Sequence, residues 1–263
     1  MPMKIFSFFG RIFSCRSKKV LIFAHYHQAG ILREDSQKLL QDLKPIFDKI
    51  IFVSAHIKLS ELSKIPSGIE CLTRTNEGYD FYSYKLGIEK IHNSKINYSQ
   101  LTLMNSSFLC IDSQKLINFY FNRLTKKSGI CGLTKSYEGC EHIQSYLMTF
   151  QKNILENPTF QNWWKEMAPL NIRQEVIDKY EMGLSKLISV NGENLRGIYT
   201  APFNHSRIQN PTHAHYLDLM NKTGVLKIEV FKINPNNLNL KPLNQLIRED
   251  AKILRYIKEG LEN

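Results

Sequence analysis

The chain has 263 residues, 43% hydrophobic, 22% charged and 11% aromatic, proportions that exclude wholesale disorder and suffice for a sizeable core. Thirteen glycines and nine prolines are below average usage and exclude collagen-like or linker-rich architectures. The formal charge of +11 at pH 7 favours polyanionic partners: nucleic acid, an anionic membrane face or a phosphorylated substrate.

The charge is uneven. Residues 1–19 hold Lys4, Arg11, Arg16, Lys18 and Lys19 and no acid, so they supply +5 of the +11 and leave +6 for the rest. On a helix, Ile5, Phe8, Phe9, Ile12 and Phe13 share one apolar face. Residues 1–18 therefore read as a basic amphipathic segment of the kind that lies in the headgroup region of an anionic leaflet. A helix packed on the domain and a frayed terminus are the alternatives. The segment is too short and too charged to span a bilayer, and it lacks the small-residue cleavage site of a signal peptide. Five cysteines, at 15, 71, 110, 131 and 140, form no CxxC pair and read as free thiols of a reducing cytoplasm.

From Lys19 onward strand and helix patterns alternate. Residues 20–24 are a buried-strand run, 34–47 a helix with Leu39, Leu40, Leu43 and Ile46 at helical spacing, and 49–54 a second β-branched run. This is a βαβ unit, whose ligand site lies beyond the carboxyl ends of its parallel strands. His25, Tyr26 and His27 follow the first strand directly and fall near that crevice. The spacing predicts a helix over 59–65, a strand over 69–73, a helix over 82–91, and a strand over 101–104 that runs into Asn105-Ser106-Ser107. Helices are expected over 114–124 and 142–153, with a short strand over 129–133 between them. Phe160, Trp163 and Trp164 form an aromatic cluster, and a long helix over 173–190 ends in Asn191-Gly192. One strand or helix falls near 225–231. A final amphipathic helix carries Leu243, Leu246, Ile247, Leu254, Ile257 and Leu261.

The expected fold is α/β, a central, mostly parallel sheet flanked by helices, with a helical C-terminal elaboration, as one domain over 19–263. No GxGxxG follows the first strand and no GxxxxGK[ST] occurs, so the dinucleotide-fold and P-loop readings lose their main support. No nucleic-acid-reading motif accompanies the charge, and nucleic acid is not an expected partner.

Three segments carry the chemistry. Residues 74–87 join a turn (Asn76, Gly78) to a cation, a carboxylate and three tyrosines at the head of a helix; Asp80 there either caps the helix or serves a ligand. Residues 101–108 are a strand that stops in three small polar residues, a ligand-side position or a plain turn. Glu181 lies on or beside the buried stripe of Leu184, Leu187 and Ile188. A carboxylate so placed is either paired with a cation or raised in pKa to suit base catalysis.

In this order the segments resemble the rhamnan synthesis protein F family of bacterial surface-polysaccharide assembly. The resemblance rests on Asn76-x-Gly78-x-Asp80 with Tyr84 and Gly87, on Met104-Asn105-Ser106-Ser107-Phe108, and on Gly132-Leu133-Thr134 followed by His142-Ile143-Gln144-Ser145-Tyr146. It continues in Tyr180-Glu181-x-Gly-Leu-Ser185 and in Asn210-Pro211-Thr212-His213. It implies a GT-A-like nucleotide-diphospho-sugar transferase, with 19–135 as the nucleotide-sugar-binding half and 136–263 as the acceptor and catalytic half. By that resemblance Asn76, Gly78, Asp80, Tyr84, Asn105, Ser106 and Ser107, with His25 beside them, fall on the donor side. His142 and Gln144 address sugar hydroxyls, and Glu181 is the general base of an inverting transfer.

Where the family has Asp between Asn and Ser, this chain has Ser106. A hydroxyl poorly replaces a carboxylate in holding Mg²⁺ or Mn²⁺, which puts a divalent metal in doubt and leaves His213, or His215, as its candidate ligand or as a direct contact to the diphosphate. The partners implied are a nucleoside-diphosphate sugar, with a deoxyhexose such as rhamnose suggested by the family name alone, and a glycan or lipid-linked acceptor. The place implied is the cytoplasmic face of the plasma membrane, reached through residues 1–18. Ser106 also motivates the alternative of a catalytically inactive glycan- or nucleotide-binding member of an assembly complex.

Overall fold

The computed structural model describes residues 18–124, 129–202, 210–235 and 237–262. The expected basic segment, apart from Lys18, lies outside the described residues, as does Cys15.

Strand β1 (Lys18–His25) sends Val20, Ile22 and Ala24 into one core and Leu21 and Phe23 into another, as a strand covered on both faces must. Helix α1 (Glu34–Leu43) crosses to β2 (Lys49–Ser54), parallel to β1, and β3 (Glu70–Thr73) pairs in parallel with β2. Helix α2 (Tyr79–Asn93) then leads to β4 (Tyr98–Asn105), parallel to β1 on its other side. Next come β5 (Phe108–Cys110), α3 (Ser113–Phe119), β6 (Ile130–Gly132), β7 (Lys135–Ser136), β8 (His142–Ile143) and β9 (Leu147–Gln151).

The helix expected over 142–153 does not form. Leu147, Met148, Thr149 and Phe150 are all buried because β9 runs antiparallel between β4 and β6. A continuous apolar run of that length has the same hydrophobic pattern in a buried strand and in a buried helix.

The chain continues through α4 (Lys152–Leu155), α5 (Pro158–Glu166) and α6 (Arg173–Val176), then a π-helical stretch (Ile177–Met182) into α7 (Gly183–Val190). Strand β10 (Leu195–Gly197) completes a seven-stranded sheet of order β10-β6-β9-β4-β1-β2-β3. After α8 (Pro211–Ala214) and α9 (Tyr216–Thr223), the segment near 225–231 is both strand and helix: β11 (Val225–Lys227), then α10 (Ile228–Lys232). The single final helix is two, α11 (Lys241–Glu249) and α12 (Ala251–Leu261). Asp250 divides them, its carboxylate accepting from the Lys252 and Ile253 amides at 2.8 and 3.2 Å and so capping α12.

Phe81, Tyr84, Ile88 and Ile91 of α2 cover one face of the sheet, joined by Trp164 and Tyr180. Leu39, Leu40 and Leu43 of α1 cover the other. A third cluster, with Leu109, Leu226, Tyr256 and Ile257, fixes the C-terminal helices to the antiparallel β5–β11 ribbon. Each fully buried side chain of this kind contributes about 1.5–3 kcal/mol. Among the described residues no helix is long and apolar enough to cross a membrane.

Candidate functional site

Beyond the carboxyl ends of β1 and β4 lies a polar cluster built from residues far apart in the chain. At its centre is Asn105, the last residue of β4. Its Nδ2 donates to Asp80 Oδ2 at 2.6 Å, and its Oδ1 accepts from the Ser107 amide at 3.0 Å and the Ser107 hydroxyl at 2.6 Å. Asp80 stands in the first turn of α2, whose start is set by Gly78 at φ +67°. A Cβ at Gly78 would come within 2.6 Å of Tyr82 and 2.9 Å of Pro169, so glycine is required both by space and by backbone. Burial pushes the Asp80 carboxyl up to about 6 against the pull of Lys227 and Arg74, and Glu181 adds to the rise. The Arg74 guanidinium holds the preceding turn, donating to Ser83 Oγ at 2.8 Å and to the Thr75 carbonyl at 2.7 Å.

Tyr84, one turn after Asp80, donates to the Ser145 carbonyl at 2.9 Å. Ser145 in turn donates to Glu181 Oε2 through its amide at 2.7 Å and also through its hydroxyl. Glu181 sits in the π-helical stretch, a local geometry that recurs at functional sites because it re-aims a side chain. Its neighbour Tyr180 points into the core against Phe81 and Trp163. The other oxygen of Glu181 is 3.5 Å from His142 Nε2, while His142 Nδ1 donates to the Cys140 carbonyl at 2.8 Å. Burial disfavours the charged form of both groups, but their mutual interaction and the Ser145 bonds outweigh it. Glu181 is therefore lowered and His142 raised. Of the two alternatives open for a buried carboxylate, Glu181 is the paired one.

A second acid joins the cluster. Glu229 pairs with Arg173, and its other oxygen lies 3.3 Å from His213 Nε2, within ion-pair range although off the line of a good hydrogen bond. The His213 contact, joined by Lys227 and Arg173, outweighs burial and takes Glu229 down to about 2. Lys227, from β11, donates to Ser107 Oγ at 2.6 Å.

Gln144 is buried. Its Oε1 accepts from the Thr134 hydroxyl at 2.8 Å, and its Nε2 donates to Asn210 Oδ1 at 3.0 Å. Asn210 caps α8 through the Thr212 amide, so Gln144 holds the turn that presents His213. His25 is turned into the fold, its ring nitrogens 2.9 Å from Ser54 Oγ and 3.0 Å from the Ile31 carbonyl oxygen; burial, then Arg33, takes it down to about 3. Ser106 is buried and bonded to the Tyr26 backbone, accepting from its amide and donating to its carbonyl, each at 3.1 Å. Asn76 is exposed on the loop before α2, outside the network. The structure thus gathers Asp80, Tyr84, Asn105, Ser107, His142 and Glu181, while His25, Gln144 and Ser106 bond to the surrounding fold.

Lys227 and Glu229 lie outside every motif of the family resemblance. Their signal was two charges interrupting the apolar run Val225, Leu226, Ile228 and Val230. Arg33, buried with Asp35, carried no signal; it donates to the Ser106 and Phe108 carbonyls at 2.9 and 2.7 Å and fixes the loop after β4.

Among the described residues the donor set does not suit a divalent ion. Among the described residues no three His, Cys, Asp or Glu side chains stand together as metal ligands, Ser106 is spent on backbone, and His213 has only Glu229 beside it. A cavity of about 680 Å³ lined by Lys19, Phe47, Gln100, Phe121 and Gln151 lies at the opposite, amino-terminal edge of β1 and β4, away from the charged cluster.

A mostly parallel sheet of this order, with one antiparallel strand inserted beside β4 and a polar cluster at its carboxyl edge, defines an α/β fold of the kind that meets its ligand at the carboxyl ends of its strands. The family model for rhamnan synthesis protein F matches residues 50–253, and the chain belongs to that family. A curated relative, "Uncharacterized protein y4gN" of Sinorhizobium fredii (strain NBRC 101917 / NGR234), is 26% identical over 132 residues, 49% of this chain and 34% of its own length. The match therefore spans about a third of that protein. Among solved structures, a 4-diphosphocytidyl-2C-methyl-D-erythritol synthase aligns over 79% of this chain and 100% of its own, with TM-score 0.43 and 8% identity. A glycosyltransferase involved in glycosylation of the major capsid of PBCV-1 aligns over 80% and 93%, with TM-score 0.43 and 10% identity. Glucosyl-3-phosphoglycerate synthase from Mycobacterium tuberculosis, in complex with Mn²⁺, UDP-glucose and phosphoglyceric acid, aligns over 52% and 58%, with TM-score 0.37 and 10% identity.

Proposed function

We propose that the protein is an inverting glycosyltransferase that moves a sugar from a nucleoside-diphosphate donor to a surface-polysaccharide, lipopolysaccharide or lipid-linked acceptor. The observation that carries this reading is the convergence of Asp80, Asn105, His142, Glu181 and Glu229 in one cluster at the carboxyl edge of the sheet, together with the chain's family. In the reaction the acceptor hydroxyl oxygen attacks the anomeric carbon while the bond to the diphosphate oxygen breaks. Glu181 acts here as a paired carboxylate rather than one of raised pKa: His142 and Ser145 keep it ionised at neutral pH, and in that form it removes the hydroxyl proton. Asp80 and Asn105 bind the nucleotide's base or ribose, Ser107 lies beside the diphosphate, and His142 orients both base and acceptor. The donor sugar is a deoxyhexose such as rhamnose.

Residues 1–18 bring the enzyme to the inner face of the plasma membrane. Flotation of the full chain with anionic vesicles, lost when Arg11, Arg16 and Lys18 become glutamine, tests that placement. For catalysis, Glu181→Gln should keep donor binding and lose transfer by about two to four orders of magnitude; undiminished turnover would reject Glu181 as the base. A second reading, an inactive glycan- or nucleotide-binding member, is favoured by the engagement of Ser106 with the Tyr26 backbone. Release of free sugar from UDP-, GDP- or dTDP-sugars would exclude it.

A further inference from the structure

The charges of the cluster are unevenly matched. Glu181 faces His142, Glu229 meets Arg173 and His213, and Asp80 accepts from Asn105. Lys227 differs. Its ammonium donates to Ser107 Oγ at 2.6 Å and stands 4.7 Å from the centre of the Tyr146 ring. Among the described residues it forms no ion pair, and it is partly exposed. An ammonium has three N–H donors, and one of Lys227's is given to a neutral hydroxyl.

Its position is fixed by backbone. Lys227 is in register with Phe108 in the β5–β11 ribbon, and the Ile228 amide donates to the Ser107 carbonyl at 3.2 Å. The ammonium therefore reaches the loop directly after β4, the edge at which an open α/β sheet meets its ligand. The family resemblance places a metal-holding carboxylate in that same loop. Here Ser106 takes its place, and its hydroxyl is turned back to Tyr26.

We infer that Lys227 is the cation of the donor site and takes a diphosphate oxygen of the nucleotide directly, where a divalent ion would otherwise stand. The inference rests on the transferase reading above and names how its leaving group is held. Lysine binds phosphate as a point charge, and a fixed ammonium offsets the charge that develops as the diphosphate departs. Burial works against that charge, while Glu229, Glu181 and Asp80 support it. Each of the three acids has a nearer partner of its own, which leaves the Lys227 ammonium available to an incoming anion.

The test titrates the full chain calorimetrically with UDP, GDP and dTDP, once in EDTA and once in Mn²⁺. At least one nucleotide should bind with the same affinity in both. Lys227→Met should weaken that binding at least about tenfold, the loss of one charge-assisted hydrogen bond, and Lys227→Arg should restore most of it. Circular dichroism establishes that each variant is folded; should Lys227→Met fail to fold, Lys227→Gln carries the same comparison. Binding that appears only with Mn²⁺ overturns the inference and leaves the transferase reading standing. Equal affinity in wild type and Lys227→Met also overturns it. No binding of any nucleotide in either condition overturns both.

Discussion

At Glu229 one carboxylate meets Arg173 through one oxygen and His213 through the other, and its pKa falls to about 2 from the usual 4.5. A lowered acid stabilises the fold fully above its unfolded value and ceases to do so as pH falls through the folded one. Glu229→Gln should therefore cost about 2 kcal/mol at pH 7. The melting curves of variant and wild type should converge as pH falls from about 4.5 toward 2; a constant gap would reject the pairing. Asp80 has the opposite sign. Its carboxyl is raised to about 6 from 3.8, so its ionisation above that pH works against the fold. Asp80→Asn should raise stability by about 1 kcal/mol above pH 6 and weaken donor binding, a combination read by melting and titration of the same sample. Arg33 and Asp35 are each 1% exposed and paired at 2.8 Å. Arg33→Met should cost about 3–5 kcal/mol because it strands a buried carboxylate. Pairing it with Asp35→Leu should recover much of that loss.

Secondary structure elements deliver these residues, and their registers matter more than their lengths. Gly224, at φ +72°, precedes β11, and a Cβ there would come within 2.2 Å of the Asp112 carbonyl oxygen. Its own carbonyl accepts from the Ile111 amide at 2.7 Å. Gly224→Ala should destabilise the protein by about 1–3 kcal/mol and displace Lys227, so nucleotide affinity should fall beyond what the melting temperature alone explains. The strands of the βαβ start were legible because β1 and β2 are short β-branched runs bounded by polar residues. Asp80, Asn105 and Glu181 were legible because each breaks or ends an apolar pattern. The π-helical stretch was not, since a helical period shows no local sign of one inserted residue. Lys227 escaped for a related reason: in a run of alternating charge and apolar residue, period two places the charges on a solvent face, whereas β11 turns one of them to the loop after β4. Arg33 satisfies carbonyls that become neighbours only after folding, and no spacing announces it.

Across the whole molecule, the C-terminal helices tie back to the first crossover. His27 Nε2 donates to the Glu259 carbonyl at 2.9 Å, and the Glu259 carboxylate accepts from the Glu34 amide at 2.8 Å, so α12 clamps the loop that follows β1. Strand order has a consequence for how the protein is made. β4 is the seam of the sheet, with β1, β2 and β3 on one side and β9, β6 and β10 on the other. The first side is complete once residue 105 has been made, but β9 begins only at residue 147. For that interval the outer edge of β4, with Leu101, Leu103 and Met104 along it, is an open row of unpaired amides and carbonyls. Such an edge recruits strands from other chains as readily as its own. Losses during synthesis or refolding should therefore rise with protein concentration and fall on this one edge.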